Sequence, residues 1–379
     1  MKRTVFIFIM CLLFAVCVSG AEYEFGTGEE YELYPAEEMD ALYNSLSDDV
    51  KAELEDFSSA KDTSTRLSAI GEKLDLRYLI KVIFSYLGEL ILPVSGGCAA
   101  LLGIILTVTV VKNTLSDDAS VEICEFVTSL AMAISVGGIM SEGIAVSREF
   151  IGRISGVMNA MVPVMNTVML SQGSVTAMSV NSSALMLYIT VMENMTSLVL
   201  VPLGGALFAL STAAVLLRGI NISTFISSLK KITVTILSFS LMIFSFVLGI
   251  QTSLAKSADT LTMKTVRFAV GSYIPIVGGV VSEALSTVTA GLSHVRYITG
   301  TVGVIIVLLT VLPVVLSLIL SRLSFAVCRS MAEALGCGVA SEIITDADSV
   351  LSLFLALCAM TAVFFIFAIV LFMNSGIGV

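Results

Sequence analysis

The chain has 379 residues, 56% of them hydrophobic and only 13% charged, with a mean hydropathy of +0.99. Soluble domains carry roughly 25% charged residues, so this composition excludes a soluble globular protein. Thirty acids against 20 bases give a formal charge of −10, which leaves no broad basic surface for nucleic acid. From Glu22 to Asp75 there are 16 acidic and four basic residues, so the excess negative charge sits in one N-terminal stretch and the remainder is electrically balanced.

Lys2 and Arg3 precede an apolar run from Val5 to Val18, and Ser19-Gly20-Ala21 follows with small residues. This pattern predicts a cleavable signal peptide over 1–21, the run being short for a span of about 20 residues. Residues 22–75 then form an acidic extracytoplasmic tail. Glu22 to Asp40 is rich in Glu, Tyr and Gly and is expected to be disordered, since it has little apolar surface to bury. Residues 47–88 read as two helices, each opened by cap residues and followed by apolar positions at helical spacing. The tail is either a solvated spacer or a docking arm for an extracytoplasmic partner.

Residues 76–379 read as an all-α, polytopic membrane domain. Apolar stretches of bilayer length fall at 90–111, 126–147, 154–172, 175–192, 195–217, 232–250, 297–321 and 350–373, for six to eight spans. Those starting at 90, 195, 232, 297 and 350 each lie in at least 22 uncharged residues. Only Glu193 and Asn194 separate the pair at 175 and 195, so a tight hairpin competes there with a tilted or re-entrant arrangement. Six basic residues fall on each side of an eight-span layout, which gives no vote on orientation. Gly152 and Gly156 form a GxxxG, which suits close helix packing in lipid.

Residues 251–296 differ from the other stretches. The uncharged segment 268–282 is broken by Gly271, Pro275, Gly278 and Gly279, and is flanked by Arg267 on one side and by Glu283 and the single histidine, His294, on the other. A segment so short and so rich in helix breakers suits a re-entrant or interfacial piece, the competing reading being a kinked packing helix. Arg267, Gly271, Pro275, Gly278, Gly279 and Glu283 are therefore the candidate pore or subunit contact, with Glu283 able to pair with Arg267 or His294. Glu142 and Glu193 are further carboxylates at membrane depth, or simply near span ends; Glu89 stands at a span entrance.

No catalytic, cofactor-binding or metal-binding set is expected. One histidine removes every two-histidine zinc motif, no Gly-Lys dipeptide exists for a P-loop, and no Gly-Xaa-Ser-Xaa-Gly occurs. Behind the signal peptide five cysteines remain, an odd number, read as buried free thiols. The 322–349 stretch reads as a solvated or interfacial helical piece.

The run Gln251-Thr252-Ser253 through Ala258-Asp259 to Lys264-Thr265-Val266-Arg267-Phe268-Ala269-Val270-Gly271-Ser272-Tyr273-Ile274-Pro275-Ile276-Val277-Gly278-Gly279 resembles the most characteristic stretch of the stage III sporulation protein AE family. The order of signal peptide, acidic tail, Leu74-Asp75-Leu76 approach helix and polytopic body is similar too, as is Met161-Val162-Pro163 followed by Gly173. The resemblance implies a non-enzymatic membrane component of the secretion-like channel complex that joins mother cell and forespore. It implies other stage III sporulation membrane proteins as partners, including a separate ATPase, and the mother-cell membrane around the forespore as the location. The alternatives are a stand-alone small-molecule permease and an intramembrane enzyme.

Overall fold

The computed structural model describes residues 36–46, 48, 50–51, 76–114, 117–216, 223–273 and 278–375. Among them the only regular structure is helical: α1 (Ala36–Ser45), α2 (Leu76–Thr114), α3 (Asp118–Ser171), α4 (Val175–Asn194), a π turn (Met195–Leu200), α5 (Val201–Leu216), α6 (Ser223–Tyr273), α7 (Gly278–Ala334) and α8 (Gly338–Asn374). The signal peptide falls outside the described residues, as does most of the tail.

The eight apolar stretches lie on six membrane-length helices. Two fusions account for the difference. The stretches at 126–147 and 154–172 are halves of the 54-residue α3, because Arg148, Glu149 and Arg153 interrupt the hydropathy but not the helix: Arg153 Nη2 donates to Glu149 Oε1 at 2.7 Å, one turn away. The stretches at 175 and 195 form no hairpin. Helix α4 runs into α5 through the π turn, which absorbs an extra residue without reversing the chain. Glu193 is exposed just before that turn and so stands inside a continuous span instead of at its end.

Two reversals share one construction. After α3, Ser174 N–H donates to Met169 O and Gly173 N–H to Leu170 O; after α7, Cys337 N–H donates to Ala332 O and Gly336 N–H to Glu333 O. These bonds satisfy carbonyls that a helix end leaves without partners, and they require a left-handed residue. Gly173 (φ +74°) and Gly336 (φ +72°) supply it.

Helix α8 is the centre of the bundle. It packs against α3, α5, α6 and α7, and 72% of its most apolar stretch is buried, against 17% for α6 and 11% for α2. Close approach is set by small residues: a Cβ on Gly204 would meet Phe354 Cε2 at 2.7 Å, and one on Gly300 would overlap Met373. Gly152 and Gly156 do not play this part, since a Cβ on either would meet nothing within 4 Å.

The N-terminal region also departs from expectation. Residues 36–40, expected to be disordered, begin α1, and Leu42, Leu46 and Val50 are buried in the bundle core where α1 meets α3. Leu42 lies on α1 and Leu46 just past its last residue, and both are buried.

Candidate functional site

Polar residues gather at two levels of the bundle. At one, Arg322 of α7 donates to Asp348 of α8 through Nε (2.6 Å) and Nη2 (3.0 Å), and Lys230 of α6 stands close enough to feel both charges. At the other, the α3–α4 turn clasps three helices. Gln172 donates through Nε2 to Leu292 O and accepts from Arg296 Nη1 at 2.6 Å, while Lys256 Nζ reaches Asn374 O at 2.7 Å. Between these levels no charged residue occurs on α6 (Lys231 to Lys256), α7 (Arg296 to Arg322) or α8 (Asp348 to Asn374). At 1.5 Å per residue each interval is about 38–39 Å long. That matches a hydrocarbon core of about 30 Å with part of its headgroup layers. The two levels, the lower at Arg322–Asp348 and the upper at Gln172–Arg296, are collars that bound the uncharged lengths of these three helices, while Glu149 and Arg153 of α3 and Glu193 of α4 lie between them.

The upper collar is built around Asp259. This carboxylate is 5% exposed and accepts from Thr176 N (3.2 Å) and Ala177 N (2.9 Å), so a side chain of α6 caps the start of α4. The first N–H groups of a helix lack internal partners, and Ser174, in the N-cap position, makes no side-chain cap of its own. Asp259 fills that role from across the interface, with the favourable sign for a helix N-terminus.

Beyond this collar α6 continues from Asp259 to Tyr273, and α7 runs from Gly278 before it reaches Leu292. Fourteen residues each way amount to about 21 Å of helix past the membrane level. The run that resembled a known family thus starts at the collar and extends outward.

A family model described as stage III sporulation protein AE matches residues 58–376. The chain belongs to the stage III sporulation protein AE family. Stage III sporulation protein AE of Bacillus subtilis (strain 168) is 21% identical over 299 residues, covering 76% of this chain and 73% of that protein. No solved structure matches. The family is a sporulation membrane family and not a known enzyme family.

Of the residues expected to form a pore or contact, Arg267 and Gly271 lie on the last turns of α6, Gly278 and Gly279 are the first residues of α7, and Glu283 follows within its second turn. Pro275 lies outside the described residues, as do the side chains of Arg267, Glu283 and His294 and hence any pairing among them. The described parts of 268–282 are helix, and only 274–277 separates them. Gly271, Gly278 and Gly279 all fall on described helix, beyond the level of Asp259.

Asp259, Gln172 and Arg296 carry the collar, and sequence reasoning passed over all three as functional candidates. Asp259 was visible within the family-like run; that Gln172 and Arg296 meet, 124 positions apart, was not. Glu142 sits beside Gly143, whose Cβ position faces Leu318 and Leu351, close to the lower collar, which suits a carboxylate near a span end. Past that collar α7 and α8 continue as helices to their turn, so 322–349 is helical throughout apart from Leu335-Gly336-Cys337. Cys98 and Cys328 are free thiols with sulfurs 3.5 Å apart, and Thr109 Oγ1 lies 3.2 Å from Cys337 Sγ. No cluster of three or more metal-ligating side chains occurs among the described residues.

Proposed function

We propose that this chain is a non-enzymatic multipass subunit of the secretion-like channel complex connecting mother cell and forespore during endospore formation. Its place is the mother-cell membrane around the forespore, and its partners are other stage III sporulation membrane proteins, a separate ATPase among them. Family membership over 58–376 carries the reading. The two collars support it by giving the bundle a membrane frame, and the helices of 260–291 give it an arm that leaves the membrane with family-like residues on it. Arg267, Gly271, Pro275, Gly278, Gly279 and Glu283 are the residues of the subunit contact, and the acidic tail, exported behind its signal peptide, stands on the side that the first span leaves.

Deletion of the gene is expected to stop sporulation after engulfment while vegetative growth is unchanged. A vegetative growth defect would favour a stand-alone permease instead. Copurification with the other stage III proteins is expected to depend on 251–291, and full recovery of partners after Gly278→Leu with Gly279→Leu would remove that segment from the contact.

A further inference from the structure

Hydroxyls buried in this bundle are normally satisfied by their own helix. Thr128, Ser147, Thr196, Thr299, Thr310 and Thr361 each donate to the carbonyl four residues earlier. Six buried side-chain atoms among the described residues have no hydrogen-bond partner. Two are accounted for by place: Arg296 Nε in the collar, and Ser324 Oγ beside Cys328. The other four are Ser174 Oγ, Asn181 Oδ1, Tyr188 Oη and Thr252 Oγ1, on residues between 0% and 4% exposed.

These four form a line. Ser174, Asn181 and Tyr188 recur every seven residues, which brings them within about 20° of one face of α4. Thr252 lies seven residues before Asp259 on the buried face of α6. Two contacts set the register of these helices: Asp259 caps Thr176 and Ala177, and Phe244 meets Tyr188 edge-on with centroids 5.3 Å apart. Interpolation between them puts Thr252 level with Asn181 and Ser182. The line runs from the upper collar to Tyr188 over 14 residues, about 21 Å, most of a hydrocarbon core of about 30 Å. At its inner end the Tyr188 ring stacks on Phe364 at 3.4 Å and is edged by Phe244 and Phe365. Its hydroxyl can donate to Thr361 Oγ1, which keeps its acceptor lone pairs while giving its own proton to Leu357 O.

An unpaired buried polar group costs about 1–3 kcal/mol, and Ser174 Oγ, Asn181 Oδ1 and Thr252 Oγ1 in one row are not sustained without a ligand. The ligand that suits oxygen atoms of hydroxyl and amide type, spaced along a helix interface and reaching a polar surface, is water, which makes about three hydrogen bonds per buried molecule. We propose that the α4–α6 seam is a hydrated half-channel. Water enters at the Gln172–Ser174 turn beside Asp259, is held by Ser174, Asn181 and Thr252, and stops at the aromatic plug around Tyr188. The seam gives small polar species a path most of the way across the bilayer. This inference rests on the membrane frame of the bundle and not on its membership of a sporulation complex.

The test uses the full chain in lipid nanodiscs, exposed to a microsecond X-ray pulse in oxygen-18 water and read by mass spectrometry. Hydroxyl radicals formed from internal water oxidise the side chains beside it. Tyr188 and Phe354 are both 0% exposed, so bulk solvent reaches neither. With water in the seam, Tyr188 is expected to incorporate oxygen-18 about tenfold faster than Phe354. Equal, low rates for the two would mean a dry seam and overturn the proposal. Asn181→Leu with Thr252→Val is expected to bring the Tyr188 rate down to that of Phe354, and an unchanged rate would show that the water arrives by another route, which also overturns it. If the double variant does not fold, the wild-type comparison of Tyr188 with Phe354 still decides.

Discussion

Helices α7 and α8 on one side, and α4 and α6 on the other, are packed pairs with opposite interiors. Between α7 and α8 the contact is closed by large side chains against small ones, as where Gly300 lies under Met373; Thr299 and Thr310 bond within their own helix, and Ser341 reaches across to Glu333 only near the turn. Between α4 and α6 the contact carries Asp259, Thr252, Asn181 and Ser174, with three of the four lacking a partner at an oxygen. The α7–α8 pair is the more apolar, with span hydropathies of 3.0 and 2.8 against 1.6 and 2.2 for the spans that hold α4 and α6, but hydropathy does not say which polar atoms meet. What separates the two interfaces is whether each hydroxyl or amide can return to its own backbone, or must look across the interface.

That contrast predicts unequal responses to substitution. The largest effect is expected in the dry core: Phe354→Ala removes a ring that is 0% exposed and fills the space over Gly204, and should cost about 3–5 kcal/mol in reversible unfolding from bicelles or nanodiscs. A cost below about 1 kcal/mol would show that this region is loosely packed. Next comes the cap of α4. Asp259→Ala leaves two helix N–H groups without an acceptor and should cost about 1–2 kcal/mol, with faster amide exchange confined to residues near Thr176 and Ala177, while Asp259→Asn keeps an acceptor and should lose about half as much. Within the seam the sign changes. Asn181→Leu exchanges an unpartnered amide for an apolar side chain, so stability should stay within about 1 kcal/mol of wild type or rise. A loss as large as that of Phe354→Ala would erase the distinction between the two interfaces. The smallest effect is expected for Lys256→Met, which removes only a rim contact to Asn374 O and should shift unfolding by less than about 1 kcal/mol.

The span-level organisation was largely legible. Long uncharged stretches must be membrane helices because a lipid-exposed backbone has to satisfy its own hydrogen bonds. The six membrane-length helices fall within the six to eight spans expected, and the two places where neighbouring stretches merge share a physical cause. Arg148, Glu149 and Arg153, and later Glu193 with Asn194, lower hydropathy without interrupting a helix, and hydropathy cannot tell a polar patch inside a helix from a loop between two. Residues 36–40 depart from the expected disorder for a related reason. Composition places Glu37 to Asp40 among solvated residues, yet Leu42 and Leu46 give the segment one buried face, which only a neighbour such as α3 reveals. The run from Gln251 to Gly279 holds Lys256 and Asp259, which tie it to α8 and α4, but the Gln172–Arg296 pair that joins the α3–α4 turn to α7 has no local signature. Their pairing depends on where the α3–α4 turn comes to rest.

Sequence alone determined that this is a helical membrane protein of the stage III sporulation protein AE family, with its excess charge in one short N-terminal stretch, because periodicity, length and the distribution of charge are local properties. Only the tertiary structure decided that α8 is central while α2 and α6 are peripheral, that charges on three separate helices line up into collars about 39 Å apart, and that polar residues seven apart on α4 face a seam with α6. Those outcomes depend on which faces meet. In a chain apolar nearly all round, close packing and the pairing of a few polar atoms choose the faces, and composition does not.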